Sequence, residues 1–304
     1  MSARAQHRKG VLLMIGATLC WASAGTLVRN MSIKDSWEIT FWRSLFMMIF
    51  IGAYLIHKRL RTGTPVNFRI GRAGVVSGML WASMYVCFLV ALGRTTVAST
   101  LVICSIAPFL AALAGKLFLH ESLPARTWVA MLAAFGGIAV MFAGSLGGGA
   151  WLGNLIAVLI PIAFAANVVM LRRMHASVDT TLTLLASGVI SMLVTLPVAL
   201  PFEVNGKDLF LLAIMGFVQL GLGCLLMVHA TPRLAAAEIG LLSILETLFG
   251  TFATWLFAGE RPALATLTGG LVVIGALALN ELVGMRRQTL TATERQALQS
   301  SSGH

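Results

Sequence analysis

Ten long apolar stretches follow one another along this chain with only short polar breaks, and few folds can accommodate that pattern. They run at 11–29, 38–57, 70–92, 96–119, 126–146, 151–171, 181–200, 208–230, 234–257 and 263–284. Most approach the roughly 20 apolar residues that a helix needs to cross a hydrocarbon core about 30 Å thick. Hydrophobic residues make up 58% of the 304 and charged residues only 11%, more apolar surface than a soluble domain of this length can bury. The expected fold class is an all-α integral membrane protein with ten transmembrane helices. The first stretch follows a basic tail, as a signal peptide does. It is about 19 residues long and runs straight into Arg29, so a retained span is expected.

Loop charges orient the bundle. With the N-terminus in the cytoplasm, sixteen Lys and Arg residues fall on the inner side. They include Arg8 and Lys9 in the tail, Lys58, Arg59, Arg61, Arg69 and Arg72 around the first inner loop, and Arg172, Arg173 and Arg233 farther on. The outer side receives five: Arg29, Lys34, Arg94, Lys207 and Arg261. This bias places both chain ends in the cytoplasm. The net charge of +11 is accounted for by the same rule and by contact with anionic lipid. No basic stripe with interleaved aromatics lies outside the spans, so nucleic acid is not an expected partner. Cys20, Cys87, Cys104 and Cys224 all fall within spans without paired short spacing, and read as buried thiols.

The two halves resemble each other. Gly10 and Trp21 stand eleven residues apart in the first span, and Gly153 and Phe164 repeat that step in the sixth. Ser105-Ile106-Ala107-Pro108 leads to Glu121, Pro124 and Gly137, while Ser243-Ile244-Leu245-Glu246 leads to Glu260, Pro262 and Gly275. Five spans per half is an odd number, so the second half is expected to be inverted relative to the first, a recurrent plan of secondary transporters. The expected organisation is a cytoplasmic tail over 1–10, a first five-helix repeat over 11–146, a second over 151–284, and a disordered cytoplasmic tail over 285–304. Short connections such as 93–95 and 259–261 make consecutive spans antiparallel neighbours and leave no room for a soluble catalytic domain.

The same residues carry a family resemblance. A tryptophan in the first span (Leu19-Cys20-Trp21-Ala22) is joined by an arginine in the second (Phe41-Trp42-Arg43-Ser44) and a proline in the fourth (Ile106-Ala107-Pro108-Phe109). The loop His120-Glu121-Ser122-Leu123-Pro124, the ninth-span Ser243-Ile244-Leu245-Glu246 and the turn Gly259-Glu260-Arg261-Pro262 complete the set. Over residues 10–284 the chain resembles the EamA family of the drug/metabolite transporter superfamily. The resemblance implies a ten-span permease, in most such cases an exporter of small metabolites, including amino acids and their derivatives. Where the family often has proline directly after the ninth-span glutamate, this chain has Thr247, so no kink is expected there.

Polar groups inside the spans are the candidate substrate-binding or coupling residues. Glu246 lies near the middle of its span, where a carboxylate costs about 2.5–3.5 kcal/mol on insertion scales. It reads as a ligand for a substrate ammonium or a proton carrier; a protonated acid hydrogen-bonded between helices is the plainer alternative. Arg43, about 7 Å inside its span at 1.5 Å per residue, can snorkel, hold a helix interface, pair with Glu246 or bind a substrate carboxylate. Asn167 and Gln219 are binding candidates whose plainer role is an interhelical hydrogen bond, and His229 reads as interfacial. Trp81, Tyr85 and Phe88 share one face of the third span, which Trp21 can join. Such a face suits a flat or amphipathic solute and equally suits packing. Glu121 and Glu260 read as turn or cap residues.

These features favour a multi-pass carrier in a cell membrane, of the bacterial inner-membrane type. Its expected partners are a small-molecule substrate, membrane lipid and protons as a coupling ion. The leading expectation is export of an amino acid or related amine, with an uptake permease or uncoupled facilitator as the alternative. No G-x-x-x-x-G-K-[ST] loop supplies nucleotide drive, and no H-E-x-x-H or similar cluster supplies intramembrane catalysis. No cofactor is expected.

Overall fold

The computed structural model describes residues 3–63, 70–120, 123–145, 149–173, 179–234 and 236–301, and among these it contains ten helical segments long and apolar enough to cross a membrane. In chain order the helices are α1 (Ala3–Arg29), α2 (Ser36–Thr62), α3 (Arg72–Leu92), α4 (Val97–Cys104), α5 (Ala107–Leu119) and α6 (Ala125–Ser145). The second half holds α7 (Trp151–Arg173), α8 (Thr180–Ala199), α9 (Gly206–Ile214), α10 (Gly223–Ala230), α11 (Ala236–Ala258) and α12 (Leu264–Ser301). The fourth span is therefore two helices. Pro108, at the start of α5, has no N–H to donate to the turn before it, and the helix breaks at Ser105–Ile106. The eighth span is α9, a π-helical segment Met215–Leu222, then α10.

Helix starts follow local chemistry. The Asp35 carboxylate accepts from Trp37 N at 3.0 Å and caps α2. Asp179 accepts from Thr181 N and Leu182 N and caps α8. Both satisfy amide groups that a helix start leaves without intrahelical partners. The last helix runs on to Ser301, past the span end near 284, where the sequence reading places disorder. Residues 285–301 contain neither glycine nor proline, so nothing in them terminates the helix.

Packing reveals the inverted repeat. The first span packs on the eighth and ninth, and the sixth packs on the third and fourth, which are their counterparts in the other half. The second and seventh spans pack on each other, as do the fifth and tenth. That is the pattern of a two-fold axis lying in the membrane plane. Single residues obey it too. A Cβ at Gly10 would stand 2.8 Å from Arg233 Cβ, just after the eighth span; one at Gly153 would stand 2.8 Å from Thr95 Cβ, just after the third. The fifth and tenth spans cross backbone to backbone, where a Cβ at Gly137 would come 2.6 Å from the Gly269 carbonyl. Gly137→Leu is therefore expected to leave little folded monomer after detergent extraction, because the atom it strikes is backbone and cannot rotate aside. Size-exclusion chromatography reads this directly.

Two three-helix groups result, one of spans three, four and six, the other of spans one, eight and nine. The rim that carries both chain ends is called the near rim below, and the rim with residues 29–35, 93–97 and 259–263 the far rim.

Candidate functional site

The seam between the two groups collects the polar and aromatic side chains. Glu246, on α11, is half-buried, and no hydrogen bond or ion pair joins it to any described residue. Its electrostatic neighbours are Cys104, where the fourth span breaks, and Cys224 at the start of α10. Cys224 sits against the Tyr85 hydroxyl and the Trp21 indole. A Cβ at Gly223 would lie 2.6 Å from Trp21 Nε1, so glycine there lets the first and eighth spans close around the indole. Trp81 tilts against Tyr85 with ring centroids 6.1 Å apart, and Trp21, Trp81 and Tyr85 belong to one packed cluster with Cys224. Phe88, the third member of the expected aromatic face, instead joins Trp42 and Phe46 in a separate cluster.

Arg43 does not snorkel. It is 1% exposed and its Nη2 donates to the Tyr85 carbonyl at 3.0 Å. Its guanidinium carbon stands 5.7 Å from the Tyr85 ring centroid, within cation–π range. Nε has no hydrogen-bond partner, and neither of the two ion pairs among the described residues involves Arg43, so it is not paired with Glu246. Asn167 and Gln219 are each 4% exposed, and Asn167 Oδ1 and Gln219 Oε1 lack partners. Gln219 lies in the π-helical segment, whose Gly216 and Gly221 press on Arg43 O, Phe46 and Phe50 of α2. A π-turn changes the direction of the side chains it carries and is frequent where helices are functional.

Above Glu246 toward the far rim the seam is filled in three layers. Gly250 meets Leu101, with a Cβ there only 2.5 Å from Leu101 Cδ1 and 3.4 Å from Ala22 O. Gly25 meets Val97 and Thr254, at 2.7 Å from Val97 Cγ2 and 2.8 Å from Thr254 Oγ1. At the rim, Arg29 Nε donates to Glu260 Oε2 at 2.5 Å. The Thr247 hydroxyl, 3.4 Å from Leu101 O, ties α11 to α4 just above Glu246. At the position where the family often has proline, the helix here runs unbroken from Ala236 to Ala258.

Other charged residues have local roles. His229 stands 3.3 Å from the Tyr54 hydroxyl, Glu238 pairs with His7 at 2.6 Å, and Lys116 lies 5.9 Å from the Trp128 ring centroid. Glu121 lies outside the described residues. A cavity of about 560 Å³ between α5 and α7 is lined by Leu110, Leu113, Leu117, Ile162 and similar side chains. It offers no charged group to orient a polar solute. Two partnerships were not legible from spacing. One is the convergence of Cys104 and Cys224 on Glu246; the other is the reach of Glu260 across the far rim.

Comparison with known proteins agrees with this architecture. Residues 8–143 and 151–281 each match the model of the EamA-like transporter family, one match per half. The pseudopaline exporter CntI of Pseudomonas aeruginosa, from strain UCBPP-PA14 and again from strain PAO1, is 27% identical over 284 residues, covering 90% of this chain and 96% of its own. One solved crystal structure superposes with a TM-score of 0.62 over 91% of this chain and 98% of its own length; at 17% identity this shows a shared fold alone.

Proposed function

Because this chain belongs to the EamA-like transporter family, we propose that it is a secondary exporter of a small amphipathic metabolite, an amino acid or related amine, working by alternating access. The observation that carries the proposal is Glu246: a half-buried carboxylate with no partner among the described residues, in the seam between two inverted three-helix groups. A charge held in a membrane interior without a protein partner is retained for what it binds. Glu246 takes the substrate ammonium or the coupling proton. Trp21, Trp81 and Tyr85 supply the apolar wall, and Arg43, with its free Nε, supplies the positive end for a substrate carboxylate. Asn167 and Gln219 offer acceptor oxygens once the groups move. Export is favoured over uptake by the similarity to a protein named as an exporter.

With both chain ends in the cytoplasm, as the loop charges indicate, Glu246 is screened from the outside by the three layers described above. Rocking one group against the other transfers that screen to the near rim.

The test is a panel of amino acids and amines offered to the purified protein. A ligand at 100 times its Kd stabilises the folded state by about 2.7 kcal/mol, so a true substrate raises Tm and moves saturably across liposomes. If no amino acid or amine moves under any gradient, the substrate assignment is wrong.

A further inference from the structure

The sequence places Arg29 among the outer-side charges and Glu260 in a turn; the structure joins them into one cross-linked unit. Arg29 Nε donates to Glu260 Oε2, Nη1 to the Leu92 carbonyl at 3.0 Å, and Nη2 to the Thr95 carbonyl at 2.8 Å. The second carboxylate oxygen of Glu260 accepts from Val97 N at 2.7 Å, the first helical amide of α4. One ion pair thus gathers the end of the first span, the turn between spans three and four, and the turn between spans nine and ten. Arg29 and Glu260 belong to one three-helix group, and Leu92, Thr95 and Val97 to the other. Five hydrogen bonds named here join the two groups: the two from Arg29 to carbonyls, Val97 to Glu260, Thr247 to Leu101, and one between Tyr85 and Cys224 beside Glu246. The first four lie between Glu246 and the far rim.

Resting on the carrier reading given above, we propose that the Arg29–Glu260 pair is the latch that closes the far mouth of the transport path and must break each time that mouth opens. The geometry suits a reversible lock. The pair is partly exposed, with side-chain accessibilities of 28% and 17%, so water reaches both partners when they part and the cost of breaking is modest. The contacts to backbone are charge-assisted and directional, so the closed state is specific in register. Three of the four bonds on the far-rim side of Glu246 need one of these two side chains. Removing either therefore biases the equilibrium toward the far-open state without touching Glu246 or the aromatic wall.

The experiment is sided alkylation of Cys104, which is half-buried and lies next to Glu246. A membrane-impermeant maleimide is applied from one face at a time, with modification of Cys104 read by mass spectrometry. In the wild type, labelling from the near rim is expected to exceed labelling from the far rim. In Glu260→Gln and Arg29→Met, far-rim labelling is expected to rise by about tenfold and near-rim labelling to fall, as the loss of charge-assisted bonds shifts the population. Arg29→Lys keeps the charge but cannot reach both carbonyls and Glu260 at once; it is expected to fall between, and it carries the test should a neutral variant fail to fold. If folded Glu260→Gln and Arg29→Lys label as the wild type does, from both faces, the latch is overturned while the carrier reading stands. If the wild type itself labels from the far rim as readily as from the near rim, the far mouth is not held shut and the latch is overturned, while saturable flux in liposomes tests the carrier reading separately.

Discussion

Glu246→Gln is expected to abolish pH-driven transport while leaving the folded bundle intact. Glutamine has nearly the same shape, and no bond between Glu246 and another described residue is lost with the charge. Removing a carboxylate from the interior of a membrane protein relieves a cost of about 2.5–3.5 kcal/mol, so Tm should hold or rise. Substrate affinity is expected to fall as well. A hydrogen bond to a charged group contributes about 1.5–3 kcal/mol, which is roughly a 10- to 150-fold change in Kd. Two readouts separate the roles assigned to this residue. If Glu246 carries the coupling proton, flux in the variant no longer responds to an imposed pH gradient. If it only anchors the substrate, affinity drops but the remaining flux still follows the gradient, and the coupling assignment is withdrawn.

The second large effect is expected at Arg43. Arg43→Ala empties a fully buried site and removes the support under Tyr85; large-to-small changes of this kind cost about 2–5 kcal/mol. Arg43→Met restores most of the volume without the charge. Replacing a buried cation that lacks a carboxylate by an apolar side chain is often neutral or stabilising, so Arg43→Met is expected to recover the Tm that Arg43→Ala loses. It is nevertheless expected to lose transport of carboxylate-bearing substrates by one to two orders of magnitude, the range for one charged hydrogen bond. A simple amine should still move. Transport measured on the Met variant thus separates the charge of Arg43 from its bulk: wild-type flux of a zwitterion in that variant would reduce Arg43 to packing.

Much of the fold was legible because the membrane imposes a long apolar period and a charge bias that no other environment requires. The span positions follow from that alone, and the inverted repeat from the odd number of spans in each half. The pairing of Gly10 with the residues after span eight, and of Gly153 with those after span three, then showed the symmetry in contact. The break in the fourth span had a visible cause in Pro108. The π-helical turn at Met215–Leu222 had none; it coincides with the close approach of Gly216 and Gly221 to α2, which only the assembled fold shows.

The site divided along the same line. Glu246 and Arg43 stood out because a charge inside an apolar span is costly wherever it points. Cys104 and Cys224 did not, because a thiol in a span is ordinary and only the fold brings these two to Glu246. The Arg29–Glu260 pair spans 231 positions in sequence, and two loop charges carry no mark of their partner until the helices are assembled.

The central claim is that Glu246 sits in a chamber reached from one face at a time. Entrance counterflow tests it most directly: liposomes are loaded with unlabelled substrate and diluted into labelled substrate, with no ion gradient. An alternating carrier is expected to accumulate label transiently above its equilibrium level, saturably with concentration, and to lose this overshoot when Glu246 is replaced by glutamine. Linear uptake with no overshoot would contradict the account, because a continuous pore exchanges solute without ever holding it closed off from both sides.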